Sequence, residues 1–162
     1  MSNFKLRLYL KYIFLLSLVA VISAYYIEHI LGHKPCNLCV IERIPYFVCL
    51  IILIINYKFK EIQKHLILLL IFTFIFSLML SIYHFGIEQG FFQESLICNL
   101  KNEANILSKD ELLRELQKIT VSCKDVTFRI FGFSLTTINI LLSLIILFFL
   151  TKIFIFYEKI KQ

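Results

Sequence analysis

At 162 residues, 59% of them hydrophobic and with a mean hydropathy of +0.82, the chain is too apolar for a soluble domain, where about 45–50% is usual. Its 17 Lys and Arg against 11 Asp and Glu leave a formal charge of +6. The cations gather in short segments beside apolar runs, so the charge reports membrane topology and calls for no nucleic-acid partner.

Uncharged runs cover residues 12–27, 44–57, 66–87 and 130–151. A bilayer crossing takes about 20 mostly apolar residues. The third and fourth runs meet that outright. The first meets it by continuing through Glu28 and His29, and the second by borrowing from residues 38–43. The predicted fold class is therefore an all-α membrane protein, a four-transmembrane-helix bundle forming one domain over residues 1–162. Its spans are expected at about 10–30, 39–57, 65–87 and 132–153, with outer loops at about 31–38 and 88–131.

Three basic segments set the orientation. Lys5, Arg7 and Lys11 precede the first span, Lys58, Lys60 and Lys64 link the second and third, and Lys152, Lys159 and Lys161 close the chain. With four crossings these share one side, assigned to the cytoplasm together with both termini. The basic start and apolar first run also fit a signal peptide. However, no A-x-A-like cleavage site follows, and the run continues into YYIEHI, so a retained span is expected.

The five cysteines divide by side. Cys36 and Cys39 sit at the outer mouth of the second span, Cys98 and Cys123 lie in the long outer loop, and Cys49 lies in mid-membrane. Among Phe47, Val48, Leu50 and Ile51, Cys49 reads as an inert small hydrophobe. The stretch HKPCNLCVIERIPY joins a C-x-x-C to an arginine four residues on. Pro35 suits a helix start, so the pair opens a helix, where orphan N–H groups and the dipole favour a thiolate. Cys39 and Arg43, four apart, share a helix face. Arg43 would lower the thiol pKa and could hold an acceptor carrying negative charge. The plainer alternatives are a zinc half-site for the cysteines and a snorkelling anchor for Arg43.

The long loop carries its own pattern. Ser108 and Glu111 form a capping box, Leu107 and Leu112 a hydrophobic staple, and Leu112, Leu113, Leu116 and Ile119 recur at helical spacing. A short amphipathic helix over residues 109–119 is expected, lying on the membrane or on the protein itself. Cys98 and Cys123 flank it, and a disulfide between them would close the loop. His84 and Glu88 are four apart at the outer end of the third span and could tune proton uptake or simply hydrogen-bond to each other. Glu28 and His29 raise the same question on the first span.

Four spans, a C-x-x-C-x-x-x-R in CNLCVIER, and a second cysteine pair in the next outer loop together resemble the DsbB family of membrane thiol–quinone oxidoreductases. YHFGIEQG at 83–90 and FRIFGFS at 128–134 also look like segments of that family, and a DsbI-like branch is one variant of the resemblance. In the vitamin K epoxide reductase relatives the C-x-x-C follows the loop cysteines, whereas here it precedes them. The resemblance implies redox-active disulfides Cys36–Cys39 and Cys98–Cys123. Cys39 would stand next to the quinone, ubiquinone or menaquinone, with Arg43 on the quinone side. Cys98 would form the mixed disulfide with a DsbA-like thioredoxin-fold periplasmic oxidase, and Cys123 would pass the oxidation state on through Cys36. The implied place is the bacterial inner membrane, with both pairs periplasmic and disulfide formation in exported proteins as the outcome. Two other readings stay open. One is a membrane zinc protein using His29, His33, Cys36 and Cys39, the other a structural bundle stapled by disulfides.

Overall fold

The computed structural model describes residues 3–59, 62–93, 122–124, 128–130 and 132–161. Its elements, in chain order, are α1 (Asn3–His29), α2 (Asn37–Ile41), α3 (Ile44–Lys58), α4 (Gln63–Glu88), β1 (Arg129–Ile130), β2 (Phe133–Ser134) and α5 (Leu135–Lys161). Among the described residues, four stretches are long and apolar enough to cross a bilayer: Leu6–His29, Asn37–Lys58, Gln63–Glu88 and Leu135–Tyr157. The expected four-helix membrane architecture is what the chain adopts. Cys98 and the expected helix over 109–119 lie outside the described residues.

The second span is two pieces. Pro45 carries no N–H for the carbonyl of Ile41, four residues back, and its ring crowds that turn. The helix accordingly stops at Ile41 and restarts at Ile44, with Glu42 and Arg43 forming the step. The span expected at about 39–57 is Asn37–Lys58, a short stub followed by a longer rod. The last span starts three residues later than expected because Phe133–Ser134 pairs antiparallel with Arg129–Ile130, Arg129 opposite Ser134. Gly132, at φ 86°, makes its turn, a conformation that costs glycine little.

Outward faces are apolar: Phe72, Phe76 and Met79 on α4 and Leu15, Val19 and Ile22 on α1 are all exposed on the bare protein. That is the surface lipid requires. The interior has two zones. Ile13, Cys49, Ile67, Leu70, Phe74 and Ile146 belong to a fully buried apolar core. Toward the end of the bundle that holds Cys36, the α4–α5 seam turns polar and small. Ser77 Oγ lies 3.3 Å from Ser143 Oγ, and Asn139 Nδ2 donates to Ser81 Oγ at 2.8 Å. Small residues let the two backbones approach, and in lipid such interhelical hydrogen bonds are worth about 0.6 kcal/mol each on average. This seam places α4 and α5 side chains beside the α2–α3 step.

Candidate functional site

Cys36 follows Pro35 in extended backbone (φ −71°, ψ 168°) and caps α2, its Sγ accepting the N–H of Cys39 at 3.2 Å. The helix start expected after Pro35 is therefore there, with Cys36 at its lip. Both cysteines are free thiols, their sulfurs 2.7 Å apart as a hydrogen-bonded pair. The Cys39 side chain, and behind it the imidazole of His84, draw the Cys36 thiol down to about 5 although burial pushes the other way. These contacts favour the thiolate form of Cys36, and a thiolate is the form that attacks disulfides.

His84 arrives from α4 and is almost wholly buried. Its Nε2 lies 3.5 Å from Cys36 Sγ and its Nδ1 3.0 Å from Glu42 Oε1. Glu42 is buried in the α2–α3 step, and its Oε2 accepts from Asn139 Nδ2 of α5 at 3.0 Å. Thiol, imidazole and carboxylate stand in one line, the order in which a base activates a sulfur nucleophile and a third group orients the base. Thr136 of α5 reaches both neighbours on α4, its Oγ1 donating to Glu88 Oε1 at 2.5 Å and lying 3.4 Å from His84 Nδ1. The His84–Glu88 spacing on one helix therefore works through a threonine from another.

Arg43 follows Cys39 by four residues, through a tightened turn in which Glu42 and Arg43 both keep αR backbone. It caps α3 and turns to α1, where Nη1 donates to Glu28 Oε2 and the guanidinium carbon lies 5.3 Å over the Tyr25 ring. Arg43 thus stands one step inward from the thiols, held by α1, and Glu28 gains a role as its partner. The groups placed against Cys36 are instead His84 and Cys39, with Glu42 behind them. His29 Nδ1 faces the Tyr25 carbonyl at 3.2 Å, and the His33 ring packs 4.9 Å from that of Phe128. Among the described residues, the side chains gathered closely enough to share a metal are Cys36, Cys39 and His84, not the His29–His33 set.

Cys123 is disulfide-bonded and buried. It belongs to the same small apolar cluster as Cys36, Leu38 and Ile87, with Cys39 and Tyr83 packed against it. A cysteine 87 positions from Cys36 in sequence (123 − 36) thus shares its packing. Sequence reasoning missed Glu42, Asn139 and Thr136. Glu42 carried a usable signal, an ionisable residue inside a stretch needed to complete a span, which marks function by default. Asn139 and Thr136 were polar residues in an otherwise apolar run, a weaker form of the same signal.

Comparison with known proteins places this geometry. The family described as disulfide bond formation protein DsbB matches residues 6–153. The uncharacterized protein RP370 of Rickettsia prowazekii (strain Madrid E) is 33% identical over 147 residues, covering 89% of this chain and 84% of that protein. No solved structure matches the chain. A four-span membrane bundle with a thiol pair at the mouth of its second span, matched over nearly its whole length, belongs to the DsbB family of membrane disulfide oxidoreductases.

Proposed function

We propose that the chain works as one membrane unit that reoxidises a soluble DsbA-like thioredoxin-fold oxidase and passes the electrons, through two cysteine pairs, to a membrane quinone. The observation that carries this reading is the packing of disulfide-bonded Cys123 with the free thiol Cys36 in one buried cluster. Cys36, Cys39 and Cys49 being free, Cys98 is the partner we assign to Cys123.

The exchange balances as follows. A thiolate of the soluble partner attacks Cys98 Sγ, breaking Cys98–Cys123 and releasing Cys123 as thiolate. Cys123 attacks Sγ of Cys36 in an oxidised Cys36–Cys39 pair, and Cys39 leaves. The partner's second thiol frees Cys98, which takes back Cys123 and releases Cys36. The soluble partner leaves oxidised, the loop disulfide is restored, and Cys36–Cys39 is left as the dithiol, its two electrons now at the membrane edge. His84, hydrogen-bonded to Cys36 Sγ, holds or takes the proton there as Cys36 alternates between thiolate and disulfide.

The residues present fit a quinone. Val40, Ile44, Phe47 and Tyr25 beside Cys39 and Arg43 are exposed apolar groups that would face lipid, where an isoprenoid tail dissolves. Cys39 is less buried than Cys36, and Arg43 retains guanidinium donors beyond the one given to Glu28. Cys39 and Arg43 would hold the ring, which supplies an acceptor for two electrons and two protons. The cation distribution supports a reading in which both cysteine pairs face the periplasm from a bacterial inner membrane, where new disulfides would serve exported proteins. The test is anaerobic mixing of the purified protein with a reduced thioredoxin-fold partner and ubiquinone or menaquinone, followed by quinone absorbance. No quinone reduction with either acceptor would overturn the reading.

A further inference from the structure

We propose that the dithiol form of Cys36 and Cys39, with His84 as third ligand, is a binding site for zinc(II), and that the bound ion holds the pair out of turnover. As regulation of the thiol pair, this rests on the reading above, but the site itself stands on geometry alone.

The three ligand atoms lie within 4.8 Å of one another. Tetrahedral zinc, with Zn–S near 2.3 Å and Zn–N near 2.0–2.1 Å, sets a sulfur and a nitrogen about 3.5 Å apart. Cys36 Sγ and His84 Nε2 are 3.5 Å apart already. Two zinc-bound sulfurs sit about 3.8 Å apart, against 2.7 Å here, so only Cys39 Sγ has to draw back, by about 1 Å. The imidazole is also prepared. Glu42 holds its other nitrogen at 3.0 Å, the carboxylate–histidine arrangement that orients zinc-binding imidazoles. Asn139 in turn holds Glu42. Three protein ligands leave one position for water.

The site exists only in one redox state. Joining the sulfurs in a disulfide removes the thiolate donors, so oxidised protein has nothing to offer the ion. Binding displaces the thiol protons to solvent and occupies the sulfur electron pairs that disulfide formation needs. Zinc would therefore arrest the chain after it has received electrons and before it has passed them on.

The experiment uses the full chain in lipid nanodiscs, with Cys98→Ser and Cys123→Ser so that no second thiol pair competes. Zinc is titrated calorimetrically into the reduced protein and into protein oxidised with diamide. One ion per reduced chain and none per oxidised chain is expected. Glu42→Gln should weaken binding by about 10- to 100-fold, the usual effect of losing the group behind a ligating histidine. His84→Ala should lose the site and His84→Cys should regain it, which separates a lost ligand from a lost fold. His29→Gln and His33→Gln should change nothing. Equal binding by both redox forms, or undiminished affinity in His84→Ala, would overturn the site. In the unsubstituted chain, zinc should block quinone reduction and EDTA should restore it, and zinc binding without that block would overturn the regulatory role. A chain that binds zinc as described but never reduces quinone would sink the relay and leave the site intact.

Discussion

The imidazole of His84 bridges two residues that lie six apart, Cys36 at the start of α2, whose Sγ is 3.5 Å from one nitrogen, and Glu42 in the α2–α3 step, whose Oε1 is 3.0 Å from the other. Neither the thiol nor the carboxylate meets the histidine through a single helix. α4 delivers it across the bundle to both.

This contact sets the pH dependence of the thiol. Cys36 is lowered from 9.0 to about 5, first by the Cys39 side chain and then by His84. A depressed thiol pKa means that the thiolate is present above about pH 5 and lost as pH falls through it. Alkylation of Cys36 in the Cys98→Ser/Cys123→Ser background should therefore vary little from pH 6 to 8. Cys39→Ala should move the inflection furthest toward the ordinary value, and His84→Ala should move it in the same direction by less. A rate profile from iodoacetamide trapping reads this, and a His84→Ala profile superimposed on the parent would remove the histidine from thiol activation.

Arg43 is held by Glu28 and Tyr25 and needs no quinone to keep its place. Arg43→Ala should raise the apparent KM for quinone about 10-fold or more, in line with a charge-assisted hydrogen bond worth about 1.5–3 kcal/mol. Arg43→Lys keeps the charge but not the planar fork and should cost less. Exchange at Cys98–Cys123 should be unaffected in both. Steady-state kinetics against quinone concentration decide it, and unchanged quinone affinity in Arg43→Ala would leave the residue as an anchor of α1.

A third expectation concerns the turn after α4. A Cβ on Gly86 would run into the Phe92 ring, and that ring also stacks on Tyr83 at 5.6 Å between centroids. Gly86→Val should displace Phe92 and destabilise the chain by about 1–3 kcal/mol, the common cost of overpacking. Adding Phe92→Ala should recover part of the loss. Thermal unfolding in one detergent compares the three chains. Double-variant stability no higher than that of Gly86→Val would separate the effect from Phe92.

Topology is open to direct labelling. Cys98, in the long outer loop of the sequence, should react with a membrane-impermeant maleimide on reduced intact spheroplasts, while a cysteine introduced at Lys58 should react only after lysis. The reverse pattern would invert the orientation.

The four spans were legible because lipid demands long apolar runs, and those runs are a property of the sequence itself. The helix start at Cys36 was legible from Pro35. Proline also held the missed break, since Pro45 acts on the turn before it, and the stretch was read by hydropathy alone. Counting four residues pairs Arg43 with Cys39, but the side-chain partners of Arg43, Glu28 and Tyr25, come from α1. His84 was paired with Glu88 by the same counting. Its partners Cys36, Glu42 and Thr136 come from α2–α3 and α5. Which buried polar groups meet across a bundle depends on how each helix is rotated, and spacing within one helix carries none of that.

Cys49 has a different use. It sits in the apolar core at 0% exposure, with Ser17 Oγ at 3.4 Å as its polar neighbour, away from the thiols that exchange. A thiol buried there reacts with external reagents only when the bundle opens. Its modification rate is thus a native stopwatch for unfolding in lipid, already in the chain and indifferent to whether the other cysteines are oxidised. A chain carrying it as the sole cysteine would let the lifetime of the assembled bundle be timed without adding a dye or a tag.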